Sequence, residues 1–478
     1  MKQYLQRMFN LIKQKPFFFV LVFSFLIRIF YLSINWPLWW DAHVYIGMGK
    51  YIFTGGEIGI WESFRPLIHP FLIGLIWKLG LNPIAFGKIL DLLFSLIAIA
   101  AFYKIVKQVS DKKTAFFSSL IFSVTPIFLM HTGMILTEPL AMTFGLLGLY
   151  LLLGHQHKTK IFLAGVLLSL AFLTKFTLWT YIAGVAIVLL FNKETLWGKT
   201  KNIFFLGVGF LLPLIPYLIL NQYKYGNILE PFLSGSMIVG TATWLYGQGW
   251  SYYFLHFFLS NPIFLFSIYY GYLFFRRKID VTGHSIITLT ITILTLVYFI
   301  FIVPRKEPRY LVIIIPFLAF FAVKVILMIY ENLKQQQKPF IKPKAFLLVV
   351  LLLLLVPMPA NLSFESAPAF RTEIQQIITE KNITGTIVSS DPSFVSFLDN
   401  KIITLDGMEF AAKIYGKLEE PYQLIFINDC DLICKPKDNE CVSEKAELLA
   451  QIEIENKEIF NKTIKTCNYK IYLPLEND

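Results

Sequence analysis

Six charged or titratable side chains lie at the ends of apolar segments of this chain, where burying a charge is costly and often functional. They are Asp41, Arg65, His69, Lys88, Glu138 and Arg309. The set contains two acids and four cations or bases. These groups are what is needed to take a proton from a hydroxyl and to neutralise a departing phosphate. Carboxylate oxygens also suit Mg²⁺ or Mn²⁺, so Asp41 and Glu138 are candidates to share a divalent metal.

Asp41 stands in Trp39-Trp40-Asp41-Ala42-His43, directly after the first apolar segment. Tryptophan favours the membrane–water interface because one end of its ring is apolar and the other is polar. The stretch therefore predicts a carboxylate at the membrane surface, where it could accept a proton from a hydroxyl. Alternatively, Asp41 caps a short interfacial helix over residues 43–53 that ends at Gly55-Gly56.

Each of the other candidates has a plain structural alternative. Arg65 and His69 flank Pro66-Leu67-Ile68, and Arg309 opens a late apolar segment. Both arginines could pair with a lipid phosphate, which matches the planar fork of a guanidinium. They could equally be anchors that extend their charged ends to the interface, as could Lys88. Glu138 could be a solvated acid at a helix start.

The composition indicates a membrane protein with several spans. Of the 478 residues, 56% are hydrophobic and 15% are charged, against about 25% charged in soluble domains. The run from residue 66 to 80 is only about 14 apolar residues long, so we expect it to be re-entrant or interfacial. We predict eleven crossings, near residues 17–34, 84–106, 114–131, 135–153, 161–175, 177–191, 203–220, 255–275, 283–303, 309–330 and 345–359.

The charge distribution predicts the orientation. Basic residues fill the N-terminus and every second loop, which places the N-terminus in the cytoplasm. Residues 362–478 hold 12 Lys and Arg against 20 Asp and Glu, a net charge of −8, whereas the whole chain carries +12. We therefore predict a multi-pass membrane domain over residues 1–359 and an extracytoplasmic α/β domain over residues 360–478. The uneven distribution of charge, with a negative C-terminal region, argues against nucleic-acid binding.

The C-terminal region contains all four cysteines, Cys430, Cys434, Cys441 and Cys467. An even number in a polar region predicts disulfides on an oxidising side, with a zinc site or free thiols as the alternative. Strands are predicted at residues 387–388, 402–403 and 424–427, and helices at 372–380 and 443–451.

Four segments occur in the order found in the GT-C glycosyltransferases. They are Trp36–Tyr45, Arg65-Pro66-Leu67-Ile68-His69-Pro70, Met134-Ile135-Leu136-Thr137-Glu138-Pro139 and Lys306-Glu307-Pro308-Arg309-Tyr310-Leu311. The chain most resembles the branch of protein-mannosyltransferases and bacterial aminoarabinose transferases. Two departures are visible. Many relatives have two consecutive acids where this chain has Asp41-Ala42, and Ile68 and His69 replace the usual residues of the second segment.

The resemblance implies a GT-C-like, all-α membrane domain that transfers a monosaccharide on the outer face. The donor would be a polyprenyl- or dolichyl-phosphate sugar in the membrane lipid, and the acceptor a protein, a lipid or a surface glycan. Asp41 and Glu138 would lie at the reaction centre, with Arg309 directed at the donor phosphate. Arg65, His69 and Lys88 would complete the phosphate site, and the displacement would invert the sugar carbon.

Two other classes of function remain open on the sequence alone. A transporter or flippase of a lipid-linked sugar would be expected to show inverted repeats and broken spans at matching positions. The sequence shows no such repeat, and its polar candidates lie at one face rather than at mid-membrane. A receptor or assembly factor would place its functional residues in the C-terminal region instead of in the outer loops.

Overall fold

The computed structural model describes residues 14–34, 37–153, 157–191, 195–240, 243–279, 285–337, 339, 341–354 and 371–475. Trp36 and the basic residues 2–13 lie outside the described residues. The first three quarters of the chain are helical. The helices are α1 (Pro16–Ser33), α2 (Trp40–Thr54), α3 (Ile68–Lys78), α4 (Pro83–Val109), α5 (Lys112–Val124), α6 (Pro126–Met130), α7 (Thr137–Leu153), α8 (Lys158–Thr174), α9 (Trp179–Phe191), α10 (Leu196–Tyr225), α11 (Glu230–Gly240), α12 (Leu265–Phe275), α13 (Ser285–Val297), α14 (Ile315–Gln335) and α15 (Pro343–Leu354).

Five helical stretches of the described chain are long and apolar enough to cross a membrane. They are Pro16–Ser33, Pro83–Val109, Trp197–Tyr225, Ser285–Ile302 and Pro308–Gln335. Shorter apolar helices cover Ile68–Lys78, Thr137–Leu153, Phe176–Phe191, Pro262–Phe275 and Pro343–Leu354. The multi-pass prediction is confirmed, and each of the eleven predicted spans overlaps a helix. The count of eleven crossings and the orientation of the termini stay predictions.

Local sequence explains where several of these helices begin and break. The side chain of Asn82 accepts the amide hydrogens of Ile84 and Ala85, and Pro83 follows as the first residue of α4. Pro126 interrupts the run that becomes α5 and α6. Arg28 of α1 is fully buried beside this break and donates to the carbonyl and the hydroxyl of Ser123, each at 3.2 Å. The charge inside α1 therefore binds the free end of a broken helix.

The C-terminal region, which we call the tail domain (residues 371–475), is an α/β fold. Its helices are α16 (Arg371–Glu380), α17 (Met408–Tyr415) and α18 (Asn439–Glu455), and its strands are β1 (Thr386–Ser389), β2 (Ile402–Thr404), β3 (Tyr422–Asn428), β4 (Asn456–Ile464) and β5 (Cys467–Pro474). The sheet order is β2-β1-β3-β5-β4, with β2, β1 and β3 parallel and β5 and β4 antiparallel to their neighbours. The predicted strands and helices all fall within these elements.

Two disulfides join the four cysteines, Cys430 to Cys467 and Cys434 to Cys441. The disulfide prediction is therefore confirmed. Asp429 lies with Cys430 and Cys467 in a group of metal-ligand type. Because the two sulfur atoms are bonded to each other, they are not thiolate ligands for a metal.

Helix α2 packs against the tail domain as well as against the membrane part. Val44, Met48 and Ile60 share one buried apolar cluster with tail residues that include Ile387 and Phe394. Helix α2, the loop after it and the tail domain consequently share a common core, although about 330 residues separate them in sequence.

Candidate functional site

Helix α2 places Asp41 between two arginines from separate parts of the chain. The helix begins at Trp40, and Trp39 holds the N-cap position. Asp41 Oδ1 lies 2.9 Å from Arg65 Nη2, and Asp41 Oδ2 lies 2.5 Å from Arg309 Nη1. The interpretation of Asp41 as a helix cap was wrong, because Asp41 is the second residue of α2. Both of its carboxylate oxygens bind guanidinium groups instead of backbone amides.

The two arginines continue into a row of alternating charges. Arg65 also pairs with Glu62, and Arg309 Nε lies 2.5 Å from Glu307 Oε2 without the alignment of a hydrogen bond. Arg305 Nε donates to Glu307 Oε1 at 2.6 Å. The row runs Arg305, Glu307, Arg309, Asp41, Arg65, Glu62. All six side chains are at most 15% exposed, so solvent weakens these ion pairs little.

Burial and ion pairing affect the acids of this row differently. Burial alone would raise the pKa of Asp41, but Arg65 and Arg309 outweigh it and hold that pKa well below its usual range. Burial raises the pKa of Glu62 to about 7, since Arg65 offsets it only in part and Asp406 adds to it. Asp41 is therefore ionised at neutral pH, whereas Glu62 gains or loses a proton there.

Arg309 is positioned by its neighbour Lys306. The Lys306 ammonium is buried and donates to the carbonyls of Phe299 and Ile300 at 2.6 and 2.8 Å and to that of Val303. These carbonyls belong to a π-helical turn and the residue after it, where the usual helical partners are missing. The backbone of Lys306 also pairs with Gly247 through two hydrogen bonds, 3.0 and 2.8 Å long. The segment that carries Arg309 is thereby fixed at both its side chain and its backbone.

Glu138 belongs to a second buried group of charges. It lies in the first turn of α7, and its Oε1 accepts from Lys175 Nζ at 2.9 Å and lies 3.4 Å from His131 Nε2. Lys175 holds the C-cap position of α8 in an extended conformation, which directs the chain away from the helix. Asp91 of α4 accepts the amides of Gly133 and Ile135 and so holds the loop that leads to Glu138.

Tyr45 and His69 lie between the two groups. Their rings are 5.0 Å apart, and Tyr45 is in electrostatic reach of both Asp41 and Glu138. Burial lowers the pKa of His69 to about 4, so the ring is neutral at pH 7. Within the described residues, His69 Nδ1 is buried and has no hydrogen-bond partner. A ligand that enters here would meet an unsatisfied ring nitrogen.

The structure thus brings together five of the six residues singled out in the sequence. Asp41, Arg65 and Arg309 are in direct contact, and Glu138 and His69 lie close by. Lys88 lines a small cavity formed with Tyr31, Leu32, Met130, Thr132, Gly133 and Met134. It lies between the end of α1 and the start of α4 rather than in the row of charges.

Sequence reasoning gave no role to Glu62, Glu307, Tyr45 or His131. Glu62 and Glu307 lie three and two residues before the two arginines, so a search for acids next to the predicted cations would have found them. Tyr45 is one helical turn after Asp41, on the same side of α2. His131 gives no such signal, because its partner Glu138 is reached only across a loop.

Known proteins share the fold of this chain. Residues 64–220 match a family model described as dolichyl-phosphate-mannose-protein mannosyltransferase. The crystal structure of the Archaeoglobus fulgidus oligosaccharyltransferase superposes with a TM-score of 0.59 over 98% of this chain and 75% of that one, at 11% identity. ArnT from Cupriavidus metallidurans, bound to undecaprenyl phosphate, gives 0.58 over 97% and 99%, at 13% identity. The chain has the GT-C fold. The likeness to the mannosyltransferase model and to ArnT agrees with the resemblance found in the sequence.

A second complex of the archaeal enzyme extends the comparison. AglB from Archaeoglobus fulgidus, with an inhibitory peptide and a dolichol-phosphate, gives a TM-score of 0.57 over 98% of this chain and 75% of that chain, at 13% identity. A sequence comparison with curated proteins finds no match. Within the GT-C fold, the family-model match covers Arg65, His69 and Glu138 but neither Asp41 nor Arg309. The described helices and these neighbours support a multi-pass membrane protein of the glycosyltransferase type.

Proposed function

We propose that this protein transfers a monosaccharide from a polyprenyl- or dolichyl-phosphate donor to a protein, lipid or surface-glycan acceptor. The observation that carries the proposal is the buried contact of Asp41 with Arg65 and Arg309. It places a carboxylate that could take the acceptor proton between two guanidinium groups that could bind the phosphate. ArnT bound to undecaprenyl phosphate and AglB with a dolichol-phosphate have the same fold, which supports this class of donor.

The transfer would be a single displacement at the anomeric carbon of the sugar. The acceptor oxygen forms a bond to that carbon, and the bond from the carbon to the phosphate oxygen breaks. The electron pair leaves with the phosphate, whose negative charge Arg65 and Arg309 would neutralise. The acceptor hydroxyl releases its proton to Asp41. Attack from the face opposite the leaving group inverts the configuration at the carbon.

The pairing of Asp41 with Arg65 and Arg309 suggests an order of events. A carboxylate held by two guanidinium groups is a weak base, because both ion pairs favour its ionised form. A lipid phosphate offers the same guanidinium groups a competing anion. When the arginines turn to the phosphate, Asp41 loses two cations and becomes more basic. Donor binding would therefore activate the base, which favours a donor-first sequence.

Glu138 and His69 would complete the acceptor side. Lys175 donates to Glu138 and orients it, so that the second carboxylate oxygen could accept a hydrogen bond from a sugar or acceptor hydroxyl. His69 is neutral and can bind a hydroxyl through Nδ1, which has no partner within the described chain. A cationic role of His69 toward phosphate does not fit its lowered pKa.

The arrangement of the side chains gives little support to a divalent metal shared by Asp41 and Glu138. An oligosaccharyltransferase of this fold has been crystallised in complex with Zn and sulfate. In this chain, however, guanidinium groups occupy both oxygens of Asp41, and Lys175 binds one oxygen of Glu138. The described geometry does not provide a set of free oxygen ligands for Mg²⁺ or Mn²⁺. We therefore derive no step through a metal.

The test is a comparison of surface glycans in cells. A strain lacking the protein should lose a sugar substituent, which the wild type restores and a folded Asp41→Asn variant does not. Accumulation of the lipid-phosphate sugar in the deletion strain should accompany the loss. An unchanged set of glycans and of lipid-linked sugars in the deletion strain would overturn the proposal. A flippase would instead be recognised by donor that stays on the cytoplasmic side.

A further inference from the structure

The structure links the helix of Asp41 to the tail domain at several points. His43 is 6% exposed, two residues after Asp41, and its Nδ1 lies 2.5 Å from the hydroxyl of Ser396. Ser396 ends a short 3-10 turn, Pro392–Ser396, that follows β1. The contact is thus made by the segment that follows the carboxyl end of a parallel strand, the edge of the sheet at which α/β domains place functional groups.

A buried cation of α2 takes its partners from the tail domain. Lys50 is 3% exposed, and its ammonium donates at 2.9 Å to both the carbonyl of Leu398 and the carboxylate of Asp399. A buried ammonium without hydrogen-bond partners is strongly unfavourable. The position of α2 is therefore tied to the segment that connects β1 and β2.

The backbone adds a third link. The amide of Gly59 donates to the carbonyl of Asn400, and the amide of Ile402 donates to the carbonyl of Gly59, at 2.9 and 2.8 Å. Gly59 has a φ of +94°, and a Cβ there would lie 2.1 Å from the carbonyl oxygen of Gly47. Only glycine fits between α2 and the start of β2. The loop that continues to Glu62 and Arg65 is thereby fixed to the tail domain.

We propose that the tail domain is a positioning element of the transfer site, and that Ser396 and Asp399 are positioning residues for Asp41. This inference rests on the proposed function for its consequence in catalysis. The opposite face of α2 packs against α3, where Gly49 and Gly74 approach too closely for any larger side chain. Helix α2 is held on one side by the membrane part and on the other by the tail domain. Without the tail contacts, Asp41 would lose its fixed distance to Arg65 and Arg309.

Electrostatic interactions also connect the tail domain to the row of charges around Asp41. Asp406 follows β2 and lies in electrostatic reach of Arg65 and Glu62. It is the acid that the tail domain adds at the Glu62 end of the row of charges. The tail domain thus contacts the helix of Asp41 directly and interacts electrostatically with Glu62, the partner of Arg65.

Hydrogen–deuterium exchange of the full-length protein in lipid nanodiscs tests the link. In Ser396→Ala combined with Asp399→Ala, the α2 peptide over residues 40–54 should exchange roughly tenfold faster or more, since the buried His43 and Lys50 each lose a hydrogen-bond partner. The β3 peptide should stay protected, which shows that the tail domain is folded. Lys470→Ala, which removes an exposed ion pair with Glu453 elsewhere in the tail domain, should leave α2 unchanged.

Turnover provides the catalytic readout. Ser396→Ala should lower kcat without weakening the binding of undecaprenyl phosphate, and Ser396→Thr, which keeps the hydroxyl, should restore kcat. Unchanged exchange of α2 while β3 stays protected would overturn the proposal, as would equal turnover of the Ala and Thr variants at wild-type level. If the wild type transfers no sugar, the proposed function fails, while the exchange of α2 still decides whether the tail domain holds the helix of Asp41.

Discussion

Replacing Asp41 by Asn should change transfer and donor binding in opposite directions. The amide keeps the shape of the side chain but removes its charge and its ability to take the acceptor proton. A general base contributes about 10²–10⁴-fold, which is roughly 2.7–5.4 kcal/mol of the activation barrier. Transfer should fall by that factor. Binding of the lipid phosphate should become tighter, because Arg65 and Arg309 no longer have a carboxylate to leave.

The size of the binding effect follows from the two ion pairs. A hydrogen bond to a charged partner contributes about 1.5–3 kcal/mol. Losing the charge of Asp41 weakens two such contacts, at 2.9 and 2.5 Å, which the arginines would have to give up before they bind the phosphate. Even if most of this is recovered by the amide oxygen, we expect at least about tenfold tighter binding of undecaprenyl phosphate, or ~1.4 kcal/mol.

The assay measures both quantities on the same purified protein. Binding of undecaprenyl phosphate is followed by calorimetry in nanodiscs, and turnover by release of the lipid phosphate from its sugar ester. Asp111→Asn is the matched control. Asp111 caps α5 through the amide of Thr114, a role that Asn fills about as well, so both quantities should stay at wild-type values. Weaker phosphate binding in Asp41→Asn, or undiminished transfer, would refute the reasoning.

Three further predictions follow from the same contacts. In the wild type, protonation of Glu62 as the pH falls through about 7 should free Arg65 to bind phosphate, whereas Glu62→Gln has no such titration. Between pH 8.5 and 5.5, the affinity of the wild type for undecaprenyl phosphate should therefore rise by about tenfold relative to that of the variant. Measuring the affinity of both proteins at each pH checks this. Arg309→Lys should bind undecaprenyl phosphate more weakly than the wild type but more tightly than Arg309→Ala, because an ammonium cannot bind two anions in a planar fork, and equal affinities of all three would contradict this. Thiol labelling of intact cells after reduction should modify the four cysteines of the tail domain, and protection until the membrane is opened would place that domain in the cytoplasm.

The sequence could identify the main charged residues because such residues are rare beside long apolar segments. Asp41, Arg65 and Arg309 were found in this way, and the structure brings them into contact. Their mutual pairing could not be derived, since 268 residues separate Asp41 from Arg309 and nothing local links them. For the same reason, the sequence could not show whether Asp41 caps a helix or binds a cation. The folded structure decides this, because it brings Arg65 and Arg309 to Asp41.

The extent of the tail domain was harder to derive than its existence. The acidic composition and the cysteines located the domain, and its buried strands β1 and β3 were predicted from their apolar runs. Strand β4 escaped prediction because most of its side chains are polar, so that it has no long apolar run. Val44 and Met48 resemble residues that face lipid. Sequence periodicity cannot show that they face another domain instead, because both surroundings are apolar.

The contact of His43 with Ser396 also has a consequence for biosynthesis. The two residues are 353 positions apart, so Ser396 is synthesised long after α2 has left the ribosome. At about 5–20 residues per second, the interval is roughly 18 to 70 seconds. During that time α2 lacks its contacts with the tail domain, which must still reach the same side of the membrane. A nascent or truncated chain would therefore contain Asp41 without aligning it. Such a chain would not consume lipid-linked sugar before the synthesis of the protein is complete.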